Sequence, residues 1–188
     1  LKARRGTRLA VSKRDVRHCY HMIKSTRAWQ RMLAHPPPSD GKVRRTLDKV
    51  RHFPVHCAWP MGSGPSATIA QGIADVCVER SGAPFHRRIR GRDLPPMELP
   101  VTGSMMDDIW GIDGLPNEGA IAGGMKASEI VERVAGEWRK IGLGEHPDKT
   151  HVEAFGEEVQ GLFVHPTDGW IGVSVAKRAK LWAGTMRV

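Results

Sequence analysis

Two adjacent acids set inside an apolar run, Met105-Met106-Asp107-Asp108-Ile109-Trp110, constrain this chain more than any other feature. Successive residues of a strand point to opposite faces, so two neighbouring aspartates within a buried strand would drive one carboxylate into the core. A tight turn removes that conflict and presents both acids at one edge. The pattern therefore predicts a hairpin, with strands over 99–106 and 109–112 and Asp107-Asp108 at the turn. Asp-rich surface turns are common, so the pair alone assigns no chemistry.

Asp15 alters the weighting. Residues 8–16 alternate, with Leu9 and Val11 on one side, and read as a strand that runs into this acid. Three carboxylates on two strand ends match the hard oxygen donors that magnesium takes. Two such ions about 3.5–4 Å apart stabilise the attacking and leaving oxygens of an in-line displacement. Phosphoryl transfer relies mostly on that positioning, so few other side chains are required.

The remaining pattern mixes helices and strands without a strict βαβ rhythm, which favours an α+β fold. A short helix over 26–34 stops at Pro36-Pro37-Pro38. Residues 39–52 read as a loop or exposed hairpin, and 55–58 as a brief strand before a Gly/Ser turn over 62–66. A helix follows over 67–80, then a Pro-, Gly- and Arg-rich surface connection over 81–98. Ile130, Val131, Val134, Trp138 and Ile141 recur at helical spacing and predict a helix over 118–142. Strands are expected over 150–155, 158–164 and 169–175, then a helix from Ala176.

Composition narrows the partners. The 188 residues carry a net charge of +9, with basic clusters at Arg4, Arg5, Arg8, Lys13, Arg14 and Arg17 and again at Arg87-Arg88-Ile89-Arg90-Gly91-Arg92. Such an excess suits a polynucleotide, whose condensed counterions Lys and Arg displace, although a basic surface by itself also serves solubility. No run of about 18 apolar residues predicts a membrane-spanning helix. Cys19, Cys57 and Cys77 form no CxxC pair, which argues for a reducing, intracellular compartment. His52, His56 and Cys57 are close in sequence, but no second Cys/His pair stands at a zinc-ligand spacing.

Five motifs in order resemble those of reverse transcriptases. Asp15-Val16-Arg17-His18-Cys19-Tyr20 is similar to the first palm motif, an Asp followed five residues later by an aromatic. Trp59-Pro60-Met61-Gly62-Ser63-Gly64 leading to Gln71 resembles the Leu-Pro-x-Gly turn and helix of retroelement enzymes. Met105-Met106-Asp107-Asp108 resembles the Tyr-x-Asp-Asp box, and Gly142-Leu143 with His146-Pro147-Asp148-Lys149-Thr150 the motif that follows it. Val159-Gln160-Gly161-Leu162-Phe163-Val164 is similar to the hairpin that grips the primer.

This resemblance implies an RNA-directed DNA polymerase: a palm-type antiparallel sheet flanked by helices, with partial fingers and no thumb, over residues 1–188 as a fragment of a longer polyprotein. Asp15, Asp107, Asp108 and the Val16 carbonyl would carry two Mg²⁺ ions, with Mn²⁺ as a substitute. His18, Cys19, Tyr20, Met61, Gly62, Gln71 and Met106 would border the deoxynucleoside triphosphate, with Tyr20 excluding a 2′-hydroxyl. Lys149 would protonate the leaving pyrophosphate, and Gly161 and Leu162 would grip the primer of an RNA or DNA template–primer.

The chain departs from the family at three of these places. Met105 stands where Tyr is usual, Met61 replaces a polar residue of some members, and Gln160 rather than an aliphatic residue precedes Gly161. Other readings remain. An RNA-dependent RNA polymerase shares the palm chemistry, and Ser63-Gly64 with Thr68 partly matches its second motif. However, that family has an acid, an Asn and a Gly where Tyr20, Gly72 and Met106 stand. Gly62-Ser63-Gly64-Pro65-Ser66-Ala67 fits a dinucleotide-binding fingerprint, with Glu79 as the distal acid. A catalytically silent nucleic-acid-binding palm is the non-enzymatic alternative.

Overall fold

Strand β1 (Thr7–Asp15) buries residues on both faces, as an inner strand of a covered sheet must. It pairs antiparallel along its whole length with β4 (Asp108–Pro116), from Thr7 opposite Pro116 to Asp15 opposite Asp108. β3 (Val101–Met105) continues the hairpin, and its Met105 also faces Asp108. The two-residue strand β2 (Arg88–Ile89) joins parallel to β3, and β5 (His151–Ala154) flanks β1. The five-stranded sheet thus has the order β2-β3-β4-β1-β5 and is mixed rather than purely antiparallel. A second, antiparallel sheet comprises β6 (Glu158–Val159), β7 (Leu162–Val164) and β8 (Ile171–Val173). These elements come from a computed structural model that describes residues 7–32, 55–90, 93, 94, 96, 98–116, 126–167 and 169–185.

The chain divides into two compact units, one formed by Leu1–Arg17 with Gln71–Val188 and the other by His18–Ala70. In the first unit, Leu9 and Val11 meet Val101 and Ile112 on one sheet face, where Val159 and Val164 of the small sheet complete an apolar core. The Leu9 amide donates to the Pro166 carbonyl at 2.8 Å, tying the two sheets together.

The opposite face is covered by a long helix, Ala127–Lys140. Its residues Ala127, Ile130, Val131, Val134, Ala135 and Trp138 are buried at the spacing of one helical stripe. Burial of each large side chain contributes about 1.5–3 kcal/mol. Gly111 permits the close approach, since a Cβ there would lie 2.6 Å from the Ala127 Cβ. The Asp113 carboxylate, buried in β4, accepts from the Ala127 and Ser128 amides at 2.7 and 3.1 Å. A strand residue therefore supplies the acceptor that the helix start, at Lys126, lacks in its own side chains.

The second unit contains α1 (Cys19–Met22), α2 (Arg27–Met32) and the start of α3 (Gly64–Arg80). Its extended segments meet through the Ser25 amide on the Cys57 carbonyl and the Trp59 amide on the Ile23 carbonyl, both at 3.0 Å. The Trp29 and Trp59 rings lie 5.0 Å apart, and the Ser66 hydroxyl donates to the Pro60 carbonyl at 2.8 Å. The long helix of the first unit is α4 (Ala127–Lys140), and α5 (Val175–Thr185) follows the small sheet.

The fold is mixed α+β, in line with the sequence pattern, but some boundaries differ. β4 runs on to Pro116 because its continuation pairs with β1. The expected strand over 55–58 is a single bridge, Lys24 to Ala58. α3 starts at Gly64, inside the expected turn. The expected loop over 39–52 and residues 118–125 of the helix expected over 118–142 lie outside the described residues, and the described helix runs Ala127–Lys140. Among the described residues no helix is long and apolar enough to cross a membrane.

Candidate active site

The β1–β4 register ends on two acids. Asp15 and Asp108 face each other as Cα partners, although they stand far apart in the chain. The turn between β3 and β4 comprises Met106 and Asp107, so Asp108 is a strand residue and not part of the turn that the acid pair predicted. Met106 adopts a left-handed backbone (φ 53°). Its amide donates to the Gln71 side-chain oxygen at 2.9 Å, while Gln71 itself donates to Asp75 at 2.9 Å. Gln71 thus secures the turn from α3. From the β1 side the Val16 amide donates to the Asp107 carbonyl at 2.8 Å, and the His146 amide donates to the Asp15 carbonyl at 2.8 Å. Backbone contacts on both flanks therefore hold the strand end that bears Asp15 against the acidic turn.

The side chains converge as well. Asp108 is hydrogen-bonded to the Asp15 carboxyl, and burial, that bond and the charges of Asp15 and Asp107 push it up from 3.8 to about 6. Asp107 is also raised, first by burial and then by the charge of Asp15, against its own backbone hydrogen bond and Lys149. Lys149 donates to Asp15 Oδ2 at 2.9 Å, and that bond raises the lysine further. Gln160 donates to Asp108 Oδ2 at 3.1 Å. A cavity of about 190 Å³ opens here, lined by Lys13, Asp15, Asp108, Trp110, Lys149 and Gln160.

Asp107 and Asp108, both raised by burial and by the charge of Asp15, mark a site that favours added positive charge. The donors are all hard oxygens, the chemistry of a Mg²⁺ or Mn²⁺ site, and the Lys149 ammonium already stands against one of them. The residues fit the divalent ions. Among the described residues no three His, Cys, Asp or Glu side chains form a ready-made ligand cluster, and the Lys149 ammonium occupies Asp15 Oδ2, so a metal ion would have to displace Lys149 from Asp15.

Val16 is buried beside the turn. Gly161 and Leu162 lie on the β6–β7 hairpin, with Gln160 and Gly161 both at positive φ, the geometry of a tight two-residue turn. His18, Cys19, Tyr20, Met61 and Gly62 belong to the second unit. There His18 begins α1 in a left-handed conformation, Cys19 is buried, Tyr20 is half-buried, and Met61 is exposed beside Gly62 (φ 87°). Glu79 lies within α3 and ends no strand, which removes the strand-borne acid that a dinucleotide fingerprint requires.

Sequence reasoning missed what supports the acids. The Trp110 indole packs over Gly103, its cross-strand partner, where any side chain would collide with the ring. Arg14, on the helix-covered face of β1, pairs with Glu132 at 2.8 Å and Glu145 at 3.0 Å, linking β1 to α4 and to the segment before Lys149. A glycine opposite a tryptophan across a predicted hairpin is a readable signal for the first; nothing local marks the second. No protein-family model matches this chain, and comparison with curated proteins finds no relative.

Proposed function

We propose that this chain is the palm region of a reverse transcriptase, which adds deoxynucleotides to a primer 3′ end under the direction of an RNA or DNA template. The observation that carries the reading is the meeting of Asp15 with Asp107 and Asp108 at the end of the β1–β4 pairing. Five ordered motif resemblances and the +9 charge support it. A cleft of about 660 Å³, running along β3 from Arg88 and Arg90 to Met105 and Gln160, supports a polymeric substrate beside the acids.

Two divalent ions, when bound, supply electrostatic stabilisation to the attacking 3′-oxygen and the departing pyrophosphate. Asp15, Asp107 and Asp108 would hold the ions. Asp108 is the third carboxylate, oriented by Asp15 and Gln160. Gln71 fixes the turn that carries Asp107, so its principal contact is with the protein backbone. Bond formation joins the 3′-oxygen, whose proton passes to solvent, to the α-phosphorus as the bond to the bridging oxygen breaks. Lys149, once released from Asp15, can give its Nζ proton to the pyrophosphate.

The test is addition of a single nucleotide to a DNA primer on an RNA template, with Mg²⁺ or Mn²⁺. Deoxynucleotide addition that falls about a thousandfold in Asp107→Asn is expected, the scale on which charged groups act in phosphoryl transfer. A preference for ribonucleotides would indicate an RNA-dependent RNA polymerase. Nucleic-acid binding without synthesis, unaffected by Asp107→Asn, would indicate a silent binding module.

A further inference from the structure

We propose that Gln160 is a positioning residue that locks the Asp108 carboxylate to the β6–β7 turn, so that the hairpin and the metal site move together. This inference rests on the metal-binding reading of the three acids. Gln160 has a left-handed backbone (φ 49°) and precedes Gly161 (φ 80°). Left-handed positions of such turns favour Asn or Gly, and glutamine there has no local advantage. Its side chain nevertheless reaches 52 positions back to donate to Asp108 Oδ2 at 3.1 Å.

The hairpin that presents it is firmly held. Val159 and Val164 are in the core, Lys13 donates to the Glu158 carbonyl at 3.1 Å, and Lys177 reaches both the Glu158 carboxylate and the Gly161 carbonyl. Asp108 is therefore met from two sides, by Asp15 on β1 and by the amide of a turn whose flanking strands are anchored in the core.

An amide suits this task. It donates to a carboxylate without carrying a charge, so it orients Asp108 without competing for the cation as Lys149 does. Partners that orient a metal ligand typically change metal affinity about 10- to 100-fold when removed. Gln160 is exposed, so the lower end of that range applies.

The experiment compares Mn²⁺ affinity by electron paramagnetic resonance in the wild type, Gln160→Gly and Asp107→Asn, using Mn²⁺ alone. Gln160→Gly deletes the amide while easing the left-handed backbone, so it separates the bond from folding. The nitrogen and proton resonances of the Gln160 side-chain amide in metal-free protein give a second readout. The proposal expects Mn²⁺ binding about tenfold weaker in Gln160→Gly, and an amide resonance that moves in Asp108→Ala. Unchanged Mn²⁺ affinity in Gln160→Gly, with binding lost in Asp107→Asn, overturns the lock and leaves the metal site standing. If the wild type and Asp107→Asn bind Mn²⁺ alike, the metal reading fails and this inference fails with it.

Discussion

Replacing Asp108 with asparagine should stabilise the metal-free protein at neutral pH. Folding raises this carboxyl from 3.8 to about 6, with burial the largest cause and the Asp15 hydrogen bond next. Below pH 4 both folded and unfolded chains hold the proton, so the group adds nothing to the pH dependence there. Between pH 4 and 6 the unfolded chain releases the proton while the folded chain keeps it. Stability therefore falls as pH rises through that window and levels off above it. A shift of about two units corresponds to about 3 kcal/mol. The carboxyl is only half-buried, and solvent screening reduces this to about 1–2 kcal/mol. Asparagine keeps an oxygen that can accept from Gln160 and an amide that can donate to Asp15, but it has no charge to bury. Urea unfolding in chelator from pH 3.5 to 7.5 measures the effect. The two proteins should be closest near pH 4, with the variant gaining about 1–2 kcal/mol by pH 7. Excess Mg²⁺ should reverse the order, because bound metal favours the ionised acid. Parallel pH profiles, or a variant less stable at pH 7 without metal, would refute the reasoning.

Other consequences are equally concrete. Trp138→Ala should cost about 3–5 kcal/mol in denaturant unfolding, since this fully buried indole anchors α4 to the sheet. Asp113→Ala should cost about 1–3 kcal/mol and expose the first α4 amides to faster hydrogen exchange, as the Ala127 and Ser128 N–H groups lose their acceptor. Lys149→Met should tighten Mn²⁺ binding about threefold to fivefold by removing a competing cation from Asp15, while slowing any nucleotide addition; weaker Mn²⁺ binding would contradict that competition.

Much of the framework was legible because it follows from short periodicities. The α4 stripe of Ile130, Val131, Val134 and Trp138 was readable as a helix face, and Leu9 with Val11 as a strand face. Ile141, expected on the same stripe, falls beyond the end of α4 and is exposed. The acid pair implied a hairpin, because no other local geometry keeps both carboxylates out of the core. Its exact turn was missed by one residue, since Asp108 gains strand pairing from both Met105 and Asp15. What stayed hidden depends on partners distant in sequence. β2 has only two residues in an Arg- and Pro-rich segment, and it exists because β3 offers an edge. The capping of α4 by Asp113, and the reach of Gln160 to Asp108, join residues with no shared local pattern. Gln160 stood out in the sequence only as an unusual neighbour of Gly161.

The most direct test of the central claim is the number and affinity of Mn²⁺ ions bound with a deoxynucleoside triphosphate, in the wild type and in Asp15→Asn and Asp107→Asn. Two ions per chain in the wild type, with binding reduced by either substitution, are expected if these acids form a two-ion nucleotidyl-transfer centre. Equal Mn²⁺ binding by all three proteins would contradict it.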